Sequence, residues 1–130
     1  MRPLRLGGLA PLLVLAACVT VSKSVLSRTH ASQPIPQDDV HVYFVDDSIP
    51  QHERVAILMA EGDETFTDQG DLIDKMRKEA GKLGANAIIL NSLKDPSTGA
   101  RVAAAVFGTS AQRKGQAIAI FVPSLVKSSQ

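Results

Sequence analysis

Cys18 is the one cysteine of a 130-residue chain, and its neighbours bound what its sulfur can do. Leu15-Ala16-Ala17 precede it. The small Ala16 and Ala17 leave the backbone open to a peptidase, and a thiolate offers a nucleophilic sulfur to an alkyl donor. An intrachain disulfide is excluded, and an unpaired thiol in an oxidising compartment is a liability unless it is put to covalent use. The chemistry these residue types fit is cleavage between Ala17 and Cys18 with alkylation of the Cys18 sulfur.

The upstream residues agree. Met1 to Arg5 is short and basic, and Leu6 to Val14 is an apolar run interrupted by Gly7, Gly8 and Pro11. A basic segment, a short apolar segment and small residues at a cleavage point mark a secretory signal peptide. The run falls short of the roughly 20 apolar residues of a spanning helix. Leu15-Ala16-Ala17-Cys18 resembles the lipobox of bacterial lipoproteins. In that family the thiol is alkylated with diacylglycerol, the chain is cut before the cysteine, and the new amine is acylated with a fatty acid such as palmitate. Two or three acyl chains suffice for stable anchoring, at about 0.8 kcal/mol per buried CH₂. An Asp after the cysteine tends to retain proteobacterial members at the inner membrane. Here Val19 occupies that position, so the resemblance implies the outer membrane, facing the periplasm, or the cell surface where the source has a single membrane. The alternative is an ordinary signal peptide with an incidental cysteine.

The remaining polar residues make weaker constellations. His41 and His52 flank a turn and would meet if the two flanking strands formed a hairpin, but no Cys or paired-His spacing of a zinc site accompanies them; His30 falls in a polar stretch. No metal site is assigned. Glu61, Asp63, Glu64, Asp68 and Asp71 cluster around a helix start, where capping and solubility explain them and the spacing of a calcium loop is missing. No Gly-x-Ser-x-Gly frame holds a nucleophile. Gly108 to Gly115 lacks the glycine order of a phosphate loop. Its Arg113-Lys114 pair is expected at a solvated hairpin tip, a candidate contact for an envelope polymer or protein. The expectation is a chain that is not an enzyme and takes no cofactor.

Composition narrows the partners. Aromatic residues make up 4% of the chain, with no Trp, too few for a stacking surface. The whole chain carries a net +1; without Arg2 and Arg5 it has 12 basic against 13 acidic residues, or −1. Such a balance creates no long-range field for a phosphate backbone, so nucleic acid is not an expected partner.

One domain must position these residues. Residues 1–17 are the signal peptide. Residues 18–38, Ser- and Thr-rich with Pro34 and Pro36, read as the lipidated cysteine and a flexible tether. The folded domain is expected over 39–124, with 125–130 a frayed tail. Strands are expected at 41–45 and 53–60, where β-branched and aromatic residues concentrate or alternate, and at the short apolar run 87–90. Arg101 to Phe107 and Gln116 to Val122 read as two further strands. Leu72, Ile73, Met76, Ala80 and Leu83 form one stripe at helical spacing. Asp68 or Thr67 is placed to cap that helix, with Gly84 as its left-handed stop and Asp71/Lys75 and Asp74/Lys78 as i,i+4 pairs. The fold class is α+β: a four- to five-stranded sheet with one helix, about 69–84, packed on one face. The alanines of 103–105 are expected to admit that helix closely.

Residues 78–89, Lys-Glu-Ala-Gly-Lys-Leu-Gly-Ala-Asn-Ala-Ile-Ile, resemble the helix-to-strand segment of small envelope domains of the Rcs stress-sensor lipoprotein type. They are also similar to a heavy-metal-binding domain family with a related βαβ core. Residues 117–120 resemble the closing strand of such domains. In physical terms the motif specifies packing: Gly84 makes the turn, and Asn86 can hydrogen-bond loop backbone. The stress sensor has disulfides in its domain, and this chain has none to offer, so neither its partner contacts nor its sensing role carry over. The functional expectation is a lipid-anchored envelope protein, a non-catalytic interaction or sensing module. Its membrane contact is through the lipid and its partner is an unidentified envelope protein. The alternative is a periplasmic small-ligand or metal-binding domain.

Overall fold

A computed structural model describes residues 19–27 and 33–126. The signal segment, Cys18 and His30 lie outside the described residues. The fold is α+β, as expected, and the described residues form a five-stranded sheet and two α-helices where one was expected. In chain order the elements are β1 (Thr20–Val25), β2 (His41–Phe44), β3 (Glu53–Asp63), α1 (Gln69–Lys82), β4 (Ala87–Lys94), α2 (Thr98–Phe107) and β5 (Gln112–Phe121). The strand order is β1-β3-β5-β4-β2. β2 runs parallel to β4, and the other three pairings are antiparallel.

The central helix forms for local reasons. The Asp68 carboxylate accepts from the Asp71 amide at 2.8 Å, and the Asp71 carboxylate accepts from the Asp68 amide at 2.9 Å. This reciprocal box satisfies two donors that a helix start leaves open. At the other end Gly84 takes φ 81°, the left-handed turn its sequence position suggested. The apolar stripe is buried as expected, with Leu72, Met76 and Ala80 at 0% exposure. Burying a side chain such as Leu72 contributes about 1.5–3 kcal/mol. The expected i,i+4 ion pairs do not form. Asp71 is engaged in the cap, and Asp74 pairs with Arg77 at 3.5 Å.

Residues other than Ala103–Ala105 let α1 approach the sheet. Ala56 and Ala60 on β3 and Ala117 and Ala119 on β5 are fully buried beneath it. Gly115, in register with Ala60, continues that low ridge against Leu72 and Met76. The opposite face carries a smaller cluster at one end, where Ile49 and Leu125 cover Ala87, Ile120 and Val122.

The tether expected over residues 18–38 is corrected by β1. Thr20–Val25 pairs antiparallel with β3 from Thr20↔Glu61 to Val25↔Ala56. Val21 packs on the core from one edge, and Ile35 packs on it further along the chain. The Ser-rich composition conceals an alternation: Val21, Lys23 and Val25 face α1, while Thr20, Ser22 and Ser24 face the other way. The domain therefore starts about 20 residues earlier than its sequence suggested.

An ion pair fastens this edge strand to the helix. Lys23 Nζ lies 3.0 Å from Glu79 Oε2, and Lys82 Nζ lies 2.9 Å from Glu79 Oε1. Glu79 is 8% exposed. The hydrogen bond from Lys82, then that from Lys23 and both charges, hold its carboxyl below the ordinary value near 4.5, against the opposing effect of burial. A lowered folded-state pKa stabilises the fold above the ordinary value, and that contribution is lost as pH falls below about 4.5 through the folded value. Amide exchange at Ser22 and Ser24, whose N–H groups face β3 in the register that sets the Leu26 amide on the Val55 carbonyl, is expected to accelerate, relative to core β5 amides, as pH drops into that window. A Glu79→Gln variant should exchange faster at pH 7 and lose most of that additional acid sensitivity. An unchanged relative exchange rate between pH 6 and pH 3 in the wild type would contradict the linkage.

Candidate functional site

The polar residues of interest gather at one end of the sheet. Thr20, Glu61, Lys114 and Lys94 stand in one row across four strands, by the registers Thr20↔Glu61, Glu61↔Lys114 and Lys94↔Lys114. At a strand spacing of 4.7–4.9 Å the row is about 15 Å wide. The chain enters β1 here from Val19, α1 starts here, and β4 leaves here for α2.

The segment Arg101 to Phe107, expected as a strand, is the body of α2. Its signals are local and strong. Ser97 Oγ accepts from the Ala100 amide at 3.1 Å, and Gly108 closes the helix at φ 67°. Three consecutive alanines between them have the highest helix propensity of any residue. The apolar density of the run suggested a buried strand, yet none of its residues is buried. Val102, Val106 and Phe107 are 58%, 75% and 79% exposed, and Phe66 on the neighbouring loop is 69% exposed. The i, i+4, i+5 spacing of the first three is the sequence signal for this patch.

An ion-pair network holds α2 to the sheet. The Arg101 guanidinium grips Glu64 in a fork, with Nε at 2.8 and 3.1 Å from the two carboxylate oxygens. Arg113 donates from Nη1 to Asp95 Oδ1 at 2.8 Å, and its Nη2 lies 4.0 Å from Glu64. The Arg101 hydrogen bonds, reinforced by the charges of Arg101 and Arg113, lower the Glu64 pKa against partial desolvation. Asp63 is lowered as well, by hydrogen bonds from the Ser110 side chain and the Thr65 backbone. Between α2 and the β4–β5 stem lies an open groove of about 550 Å³, lined by Pro96, Ala100, Ala103 and Phe107 among others.

Arg113 and Lys114 are therefore not a solvated loop tip. Both belong to β5, in register with Gly62 and Glu61. Arg113 is committed to Asp95, while Lys114 is exposed and lies 3.5 Å from Glu61. The β5 strand starts at Gln112, four residues before the expected Gln116, because α2 and its glycine cap shorten the loop before it.

The histidines do not meet. β2 and β3 are not hairpin partners: β5 and β4 separate them, so His41 and His52 stand about 14 Å apart in strand spacings alone. His52 Nδ1 is 2.8 Å from the Pro50 carbonyl oxygen. Among the described residues, no group of three His, Cys, Asp or Glu side chains is placed to hold a metal ion. The acidic cluster divides into separate tasks: Glu61 pairs with Lys114, Asp63 caps the following turn, Glu64 holds α2, and Asp68 with Asp71 caps α1.

Of the motif residues, Asn86 does more than its position suggested. Its Oδ1 accepts from the Val122 amide at 2.7 Å, and its Nδ2 donates to the Val122 carbonyl at 2.8 Å. Both groups are buried, and the partner is 36 residues away. Cys18 and Ala17 lie outside the described residues, and Val19 directly after them packs against the core.

No protein-family model matches the chain, and no curated protein matches it. Among solved structures, it is similar to the Francisella virulence factor FvfA in its orthorhombic crystal form, with a TM-score of 0.53 at 12% identity, over 78% of this chain and 96% of that one. At that identity the likeness is one of fold.

Proposed function

We infer that this chain is a lipid-anchored envelope protein, a non-catalytic interaction or sensing module held at the outer membrane and facing the periplasm. Where the source has a single membrane, the same anchor places the domain on the cell surface. The observation that carries this reading is Leu15-Ala16-Ala17-Cys18 behind a basic and apolar leader. The start of the domain supports it. Val19 packs on the core and Thr20 begins β1, so a lipid on Cys18 would seat the domain close against its membrane. The resemblance of residues 78–89 to envelope domains of the Rcs type points the same way.

The test is the intact mass of the mature protein from native membranes, beside a Cys18→Ala variant. The expected wild type begins at Cys18 and carries diacylglycerol plus an acyl chain, while the variant stays uncut and gains no acyl mass. An unacylated wild-type chain in the soluble fraction would overturn the reading. Crosslinking of the acylated protein in the membrane fraction is then expected to trap one envelope protein repeatedly.

A further inference from the structure

The geometry points to α2 as a second membrane contact, whose Val102, Val106 and Phe107 enter the lipid interface beside the acylated N-terminus. The inference rests on the anchored reading above. Its geometric basis is the row Thr20–Glu61–Lys114–Lys94. The residue next to Cys18 enters the sheet at one side of this row; the chain leaves β4 for α2 about 15 Å away and returns to β5 about 10 Å away. Acyl chains on Cys18 would bring this end of the sheet to the bilayer, with α2 at the same level.

The composition of α2 suits that surface. It holds no acidic residue, and its one charge, Arg101, is turned inward onto Glu64. Nothing on its outward face repels anionic phospholipid or requires water. A ten-residue helix is marginal in water without packing, and all of its large apolar side chains are exposed. Phe66 stands on the loop carrying Glu64, at the same end, and is exposed as well. Short amphipathic helices that bury one face at the headgroup boundary bind by such apolar area. An acyl anchor raises the local concentration of lipid at α2, so a small patch is enough.

Acylation leaves Cys18 without a free thiol, so a Val106→Cys variant of the full chain takes a single thiol-reactive fluorophore. The acylated protein would be reconstituted into phosphatidylethanolamine–phosphatidylglycerol vesicles with brominated acyl chains. The label at 106 is expected to lose most of its emission, whereas a label at Gln51→Cys, beside Glu53 at the far end of the sheet, keeps its own. In a Val102→Ser, Phe107→Ser background the label at 106 should escape the bromines, which separates insertion by α2 from insertion by the dye. An unquenched label at 106 on a protein of confirmed acyl mass overturns this inference alone. A protein without acyl mass overturns the anchored reading and this inference together. Self-quenching that follows protein density and ignores the bromines would make the patch a contact between copies, and would also overturn it.

Discussion

Replacing Asn86 with alanine is expected to lower the unfolding free energy by about 3 kcal/mol, because it strands both backbone groups of Val122 in the interior. The wild-type amide closes a two-bond ring with that residue, at 2.7 and 2.8 Å. Val122 is fully buried, so water does not replace the lost partners without opening the structure. The damage spreads because Val122 belongs to the second, smaller core with Ala87 and Ile120, which Ile49 and Leu125 cover. The Asn86 carbonyl also accepts from the His41 amide at 3.0 Å, so the residue joins the start of β2, the start of β4 and the end of β5. A denaturant titration of the two proteins checks the magnitude. Asn86→Asp sharpens the test: the carboxylate keeps the acceptor for the Val122 amide but sets a negative charge against the Val122 carbonyl. Protonation restores a donor, so this variant is expected to regain stability relative to wild type as pH falls. A variant within 0.5 kcal/mol of wild type (about the scatter of an ordinary surface change) would show that the ring is not structural.

The same residue shows where the sequence stops being legible. Its type and its place after Gly84 identify a packing motif, but the partner 36 residues away has no local signature. Features decided within one turn of chain were readable: the Asp68 cap, the stripe Leu72–Met76–Ala80 and the left-handed Gly84. Features decided by distant pairing were not. β1 is hidden by its serines because its partners on β3, Ala56 to Glu61, lie more than 30 residues on. α2 departs from the expected strand for a different reason. Ser97, three alanines and Gly108 are local helix signals, and the apolar density of the run outweighed them, since an exposed apolar helix breaks the rule that such runs are buried. Only the fold shows that Val102, Val106 and Phe107 stay exposed, at the end of the sheet where the chain enters β1. The Arg113–Lys114 expectation failed with it, because the position of a loop tip depends on where the next strand begins.

Gly81→Ala should destabilise the fold by about 2 kcal/mol, reversing the usual sign of this substitution. Inside a helix, alanine normally gains about 1 kcal/mol over glycine. At Gly81, however, a Cβ would meet the Ile35 carbonyl oxygen far inside van der Waals distance and press on a Val40 methyl at 3.4 Å. The segment around Ile35 crosses α1 here, and the Ile35 amide donates to the Gly81 carbonyl at 2.8 Å. Backbone does not yield as a flexible side-chain tip does, so the segment must lift, losing that hydrogen bond and the packing of Ile35 on the core. Gly99→Ala is the matched comparison. Gly99 lies in the first turn of α2 with only the Ser97 hydroxyl within 4.0 Å, so its alanine is expected to protect the α2 amides without moving the denaturation midpoint. The asymmetry follows from packing: α1 is clamped between the sheet and residues 33–36, whereas α2 is held to the rest of the fold by the Arg101–Glu64 ion pair. If Gly81→Ala raised the midpoint, the crossing of Ile35 over α1 would not be a fixed contact. The chain between β1 and β2 would then carry less of the domain's stability than its packing implies.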